Sequence, residues 1–480
     1  MIDLPRPGAA RSFWLQEALT DEPGEPTPPL EANVVADVCI VGGGFAGLWT
    51  AVRLTERAPG MRIVLVEQDI VGGGASGRNG GFASSSWFDA DAIIALFGEE
   101  EGVRYLRVQN DAVDQLGEFA KANRIDCWFH KDGVLGVRTG AWQEMFGAGG
   151  RGSARERYGE SGDGYRILTA EEARAYADSP RFVQGSFNPD NAVIQPARLA
   201  RGLRRVLLER GVHIFERTAM RDLERSRPAV VRTDRGAVRA DRVVLTTGAW
   251  AAEMSPFRRS FGVIADYVVA TEPIPDLLKE INWTTQMGIA DGRDWLYYLR
   301  PTDDHRIVIG GGAGSAVYGG RGDSKAANAR MHFAEAPARG LLWMFPQLEG
   351  IRFTHAWGGP IDQTPTFVPF YRTLAPGNIH AGLGYSGHGV IQTFVGGHIL
   401  ASTVLDRTDE WTTLAVNRPE SSFAPPEPFR YPLVRAAAFA LERGDMREDA
   451  GRPRGSLYRM VGEAPSRYRD RVVRRGAPAQ

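Results

Sequence analysis

Three glycines and one acid carry the first chemistry in this sequence. Gly42, Gly44 and Gly47 stand as Gly-x-Gly-x-x-Gly, and Glu67 follows about 20 residues past the third. Gly42 lets the backbone turn sharply out of an extended run. Gly44 has no side chain, so a pyrophosphate can approach the main chain. Gly47 lets the next helix pack closely on the strand. A helix opening at Phe45 and Ala46 turns its free N–H groups and positive end toward the phosphates. Glu67 then has the place of a carboxylate that binds ribose hydroxyls.

Further candidates lie in other glycine-rich stretches. Residues 71–82 read VGGGASGRNGGF, with the donors Ser76, Arg78 and Asn79 held between glycines and followed by Gly80. Such a loop can press its backbone on a flat ligand while donating to phosphate or ring acceptors. An extended run ends in Thr247-Gly248-Ala249-Trp250, a second place where backbone can approach a cofactor. Residues 384–390 read GYSGHGV and lead into a helix, so Gly384, Gly387, Gly389 and Val390 form a third loop. His388 is a catalytic base or a residue that hydrogen-bonds the cofactor or backbone. Tyr385 caps a substrate cavity or packs the turn. Trp295, Tyr297 and Tyr298 form an aromatic wall for a cation or ordinary core. Arg300 and Arg306 are candidates for a substrate carboxylate or phosphonate, with salt bridging as the alternative.

These groups need elements to hold them. Residues 36–67 give strand, tight turn, helix, strand and acid. Residues 12–19 predict a short helix that packs on the body as a clasp, followed by a proline-rich linker. Residues 90–124 predict a helix. Pro196 opens another, closed by Gly211 before a strand at 212–215. Residues 263–271 and 295–309 predict strands, and 433–443 a helix. The last residues are expected to be a mobile tail, and no internal repeat is evident.

Composition narrows the class. The chain has 480 residues, 43% hydrophobic and 24% charged, enough for two or three domains around a large core. A net charge of −1 argues against a generic nucleic-acid surface. The 2 cysteines, Cys39 and Cys127, give neither a disulfide framework nor zinc spacing, and the 8 histidines show no ligand-spaced cluster, so no metal site is expected. No signal peptide or membrane span is evident, which makes a cytoplasmic enzyme the expectation.

Together the Gly42/Gly44/Gly47 turn with Glu67, GASGRNGG at 74–81, Thr247-Gly248-Ala249-Trp250 and GYSGHGV resemble the D-amino-acid-oxidase-like flavoproteins. Within them the chain is most similar to the γ-glutamylputrescine oxidase and aminophosphonate oxidoreductase branch, and residues 425–453 are similar to the aminophosphonate group. The resemblance implies FAD, which the turn alone does not choose over NAD. It implies a mixed α/β fold: a Rossmann-like FAD-binding domain (34–86, 189–252, 357–401) interleaved with a substrate domain on a large mixed or antiparallel sheet (87–188, 253–356). An N-terminal clasp and linker (1–33) and a C-terminal extension (402–480) flank them. It also implies oxidation of the CH–NH bond of a small amine to an imine, with oxygen or another electron acceptor. The alternatives are a hydroxy-acid or alcohol dehydrogenase, or a redox-silent binding protein. Neither cysteine falls in a flavin motif, so the FAD is expected to be noncovalent. No lysine (Lys121, Lys131, Lys279, Lys325) falls in one either, which leaves oxidase and dehydrogenase activity both open.

Overall fold

The computed structural model describes residues 2–8, 11–143, 157–158, 164–418, 424–464 and 467–471. The expected C-terminal tail falls largely outside them. The strand Val34–Val41 sits in the middle of one sheet. In spatial order that sheet runs Phe370–Leu374, Ile379–Leu383, Ala237–Leu245, Val34–Val41, Ile63–Val66 and His213–Phe215. From Ile379–Leu383 onward every pair is parallel. A parallel strand covered by helices on both faces reads as a continuous apolar run, and Cys39, Ile40 and Val41 are all buried.

The helix Phe45–Arg57 leaves this strand and packs against the helix Gly389–Val404. The crossing depends on Gly397, where an added Cβ would lie 2.5 Å from the Cβ of Trp49. Helix Pro196–Glu209 takes its proline at the first turn, where no N–H is needed.

The second sheet runs Phe353–Gln363, Gly262–Thr271, Ile307–Ala316, Tyr297–Pro301, Gly288–Asp291, Val134–Arg138, Gln184–Asn188 and Arg166–Thr169. It is antiparallel except where Gly288–Asp291 meets Val134–Arg138. The mixed α/β fold with two large sheets is therefore present.

Several elements differ from expectation. The helix over 90–124 breaks at Gly98, whose φ of +85° favours glycine, into Ala90–Phe97 and Glu99–Ala122. The single strand over 295–309 is two strands joined by a turn at residues 302–306. The C-terminal helix is longer, Arg430–Asp449. Residues 357–363, expected in the FAD-binding domain, are extended. They form a strand of the second sheet, paired along Gly262–Thr271. The glycine is required there because a Cβ on Gly358 would fall 2.4 Å from the carbonyl oxygen of Ala327.

The N-terminal helix Phe13–Asp21 packs where the glycine loop lies. Ser12 caps it, its Oγ accepting from the Leu15 amide at 3.2 Å, and donates to the Gly77 carbonyl at 2.6 Å. The Trp14 indole N–H donates to the Asn79 carbonyl at 2.9 Å. Trp14 is fully buried. Trp14→Ala should cost on the order of 3–5 kcal/mol, the usual price of emptying such a site, and should speed cofactor loss. Denaturant unfolding and fluorescence of released flavin measure the two effects.

Candidate functional site

The glycine turn is built by backbone contacts that no side chain could replace. Gly42 has φ +115°, and an added Cβ would sit 2.6 Å from the Thr246 carbonyl oxygen. One on Gly47 would sit 2.1 Å from the carbonyl oxygen of Gly42. The Thr246 hydroxyl donates to the Val41 carbonyl at 3.1 Å and ties the two strands at the turn. Gly44 begins the helix and supplies no side-chain cap, so, beyond the Phe45 amide that Ser76 takes, the first turn offers main-chain donors to the space in front of it.

Glu67 is half-buried beside the turn. Its Oε2 accepts from the Gly43 amide at 2.7 Å and its Oε1 from the Asp69 amide at 2.9 Å. Burial pushes the carboxyl up to about 7, against the two amide bonds that favour its charged form.

The loop over 73–81 faces the same space, but its polar side chains are engaged in shaping it. Ser76 Oγ accepts from the Phe45 amide at 2.8 Å. Arg78 donates to the Gly73 carbonyl at 2.8 Å and to Asn328 Oδ1 at 2.5 Å. Asn79 donates to Ala75 at 3.1 Å and accepts from the Gly81 amide at 2.8 Å. These three side chains brace the loop, and its backbone is what meets a ligand. Gly80 admits the ring of Tyr298, which an added Cβ would approach to 2.6 Å. Gly248 has φ +54° and open space where a Cβ would stand.

The third loop hangs on an acid that the motif reading passed over. Asp362 Oδ2 accepts from the Gly384 amide at 2.6 Å, and burial pushes this carboxyl up to about 6. Gly384 and Gly387 have φ of +81° and +86°, and the helix Gly389–Val404 begins immediately after His388. His388 lines the cavity with its ring 4.7 Å from that of Phe88. Burial, helped by the charge of Arg469, pushes its imidazole down to about 4, so it is neutral at pH 7.

Of the side chains expected at the chemistry, Tyr385 lines the cavity but directs its hydroxyl away from it, and Arg300 lies elsewhere. Tyr385 turns its ring under the helix. Its hydroxyl lies 2.7 Å from where a Cβ on Gly396 would stand and 3.1 Å from one on Gly382, beside the Tyr371 hydroxyl. It packs the turn. Arg300 is fully buried and donates to the Ile194 carbonyl at 2.7 Å and to Pro301 at 3.1 Å, with its guanidinium over the Trp14 ring. Arg300 shares a strand face with Tyr298, but Gly81 and Ile194 cross over it and close it from the cavity. It is not a substrate ligand. Arg306 pairs with Asp304 at 2.6 Å and lies over Phe13. Tyr297 faces away, over Gly312 and Gly340. Tyr298 and Trp295 do face the cavity.

One continuous cavity of about 1630 Å³ joins these parts, from Gly44 and Glu67 past Gly80 and His388 to Tyr298 on the second sheet. The C-terminal extension completes its wall with Arg430, Ala437 and Leu441, and Arg469 pairs with Asp89 at its edge. Among the described residues, no group of three or more His, Cys, Asp or Glu could hold a metal, and no helix is long and apolar enough to cross a membrane.

The family model for FAD-dependent oxidoreductases of the DAO type matches residues 37–403. The chain belongs to this family. It is 27% identical over 390 residues to a probable oxidoreductase OrdL of Haemophilus influenzae, covering 79% of this chain and 85% of the relative. It is 28% identical over 417 residues to the gamma-glutamylputrescine oxidoreductase of Escherichia coli, covering 86% and 93%. In fold it resembles glycine oxidase from Geobacillus kaustophilus, with a TM-score of 0.65 and 19% identity over 78% of this chain and 96% of that one. The protein is an FAD-dependent oxidoreductase.

The site fits FAD. The turn is a cradle that any Cβ would fill, and the cavity runs on from it between two further glycine loops. Gly42 to Gly47 would hold the phosphates, Glu67 the ribose, and the loops at 73–81 and 384–390 the flavin ring. Cys39 and Cys127 do not line the cavity.

Two predictions follow from the carboxyl and imidazole environments. Glu67→Gln should weaken FAD retention more than it lowers the melting temperature; unchanged flavin occupancy after dialysis would remove Glu67 from the site. His388 has a folded pKa of about 4, below its ordinary 6.5. The unfolded chain therefore binds more protons across that window, and its folded-state stability rises with pH there. His388→Gln should reduce that slope in unfolding experiments between pH 4 and 6.5, leaving the remainder to other buried histidines such as His380.

Proposed function

We propose that the protein oxidises the CH–NH bond of a small primary or secondary amine to an imine, which water hydrolyses to a carbonyl. The substrate is an amino acid, a polyamine conjugate or an aminophosphonate, and the electrons pass to oxygen or another acceptor. The observation that carries this reading is the continuity of the cavity. The dinucleotide turn, the two flavin-facing loops and the inner face of the second sheet open into one space of about 1630 Å³. The likeness to the gamma-glutamylputrescine oxidoreductase supports an amine substrate.

FAD, when bound, supplies the electron sink. The chain's own residues position and polarise. The first sheet and its helices form the FAD-binding domain, and the second sheet forms the substrate domain. The start of helix Gly389–Val404 directs main-chain N–H groups and a positive partial charge toward the loop over 384–390. His388 adds no fixed positive charge at pH 7, because its imidazole is neutral there. The walls exclude water, which favours the neutral amine that oxidation requires. None of Lys121, Lys131, Lys279 and Lys325 lines the cavity, so a lysine that activates oxygen is not part of this proposal. The cytoplasm is the proposed compartment.

The test is an anaerobic single-turnover panel of aminophosphonates, polyamine conjugates and N-methyl amino acids, with hydroxy acids beside them. Amines should bleach the flavin absorbance and release ammonia or a smaller amine. Bleaching by hydroxy acids alone would overturn the reading. Protein that stays colourless after incubation with FAD would indicate a binding protein.

A further inference from the structure

The strand Gly262–Thr271 carries one acid in an otherwise apolar and aromatic run, GVIADYVVAT. Asp266 lines the cavity with Ile264 and Val268, its neighbours on the same face. Three donors fix its carboxylate, and all are neutral. The Tyr298 hydroxyl donates to Oδ2 at 2.5 Å, the Tyr267 amide donates to Oδ1 at 2.8 Å, and the Gly311 amide completes the set.

The sheet is shaped to make this arrangement. Gly310 lies between Tyr298 and Val268 in the register, and an added Cβ there would fall 2.2 Å from the Tyr298 hydroxyl. The tyrosine ring can therefore lie flat across the middle strand and reach Asp266. Gly314 is the residue opposite Asp266, and the Trp295 ring lies where its Cβ would be, at 2.3 Å. A register shift beside Asp266 and positive φ at Gly311 turn the sheet locally. The result is a carboxylate between two aromatic rings on the inner wall.

What the wall lacks is a counter-charge. No Lys, Arg or His among the described residues forms an ion pair with Asp266. The arginines lining the cavity are engaged elsewhere. Arg78 braces its loop, Arg221 pairs with Asp234, Arg430 donates to the Arg258 and Phe261 carbonyls, and Arg469 pairs with Asp89. Burial raises the Asp266 carboxyl to about 6, still ionised at neutral pH. A partly desolvated carboxylate with only neutral donors is stabilised by a cation.

We infer that Asp266, positioned by Tyr298 and flanked by Trp295, is the binding group for the substrate's ammonium, and that the preferred substrate is an amine without a carboxylate or phosphonate next to the nitrogen. This rests on the amine reading above and narrows it. A substrate anion would meet Asp266 and no free guanidinium.

The test uses two probes of opposite charge on the FAD-loaded enzyme, read by perturbation of the flavin spectrum and by calorimetry. tert-Butylammonium has no hydrogen on the carbon bearing nitrogen and cannot be oxidised; pivalate carries the same tert-butyl group and the opposite charge. The wild type should bind the cation and not the anion. Asp266→Asn should bind the cation about 30-fold more weakly, the loss expected for one charge-assisted hydrogen bond. Pivalate binding tighter than tert-butylammonium in the wild type would overturn the inference, as would unchanged cation binding in an FAD-loaded Asp266→Asn enzyme. If that variant does not retain FAD, the wild-type comparison decides alone. Amines that reduce wild type and Asp266→Asn with equal KM would leave the amine reading standing and sink this one. Failure of every amine to reduce the wild type would sink the amine reading.

Discussion

Main chain can approach main chain closely only where side chains are missing, and the architecture depends on that constraint at one turn. Gly47 passes the Gly42 carbonyl at a distance that leaves no room for a methyl group. Three segments far apart in the chain converge to hold it. Thr246 ties the neighbouring strand to its base, Ser76 caps the Phe45 amide, and Glu67 takes the Gly43 amide. The turn is thus a tertiary feature, and the parallel strands on either side of Val34–Val41 position it.

The same constraint recurs with a different purpose on the second sheet. Gly310 and Gly314 seat the rings of Tyr298 and Trp295, Gly358 lets a strand pass Ala327, and Gly397 lets two helices cross. Glycine-rich sequence marks both ligand loops and places where the protein packs on itself. Only the fold separates the two uses. At the cavity they cooperate, since Gly80 in the cofactor loop and Gly310 in the sheet admit the same tyrosine from opposite sides.

Much of the nucleotide end was legible in the sequence. Strand, turn, helix and acid are local in the chain, so their spacing alone identifies Gly42, Gly44, Gly47 and Glu67. The donors Ser76, Arg78 and Asn79 were placed in the right loop, yet their bonds run inward to Phe45, Asn328 and Gly81, partners that local spacing does not reveal. The orientation of Tyr385 and the burial of Arg300 were hidden for a related reason. Tyr385 stands within a motif but turns toward Gly382 and Gly396. Arg300 has the strand face of Tyr298 but lies under a crossing segment. Asp266 and Asp362 escaped notice, although a lone acid in an apolar strand is a signal that sequence does carry. The second sheet was expected only through family resemblance, because its strand pairs join residues far apart in the chain.

The C-terminal extension lies beyond the residues matched by the family model, yet it walls the cavity through Arg430, Ala437 and Leu441. It is tied down by Trp295, whose indole donates to the Ala438 carbonyl at 3.2 Å. The chamber is therefore a product of the whole chain, with cofactor turn, sheet wall and extension each supplying a side. The most direct measurement of this account is an experimental structure of the FAD-loaded protein with a non-oxidisable ammonium bound. The account predicts the adenosine half against Gly42 to Glu67, the flavin ring between the loops at 73–81 and 384–390, and the ammonium nitrogen on the Asp266 carboxylate. A flavin ring outside those two loops, or a cation bound away from the second sheet, would contradict it.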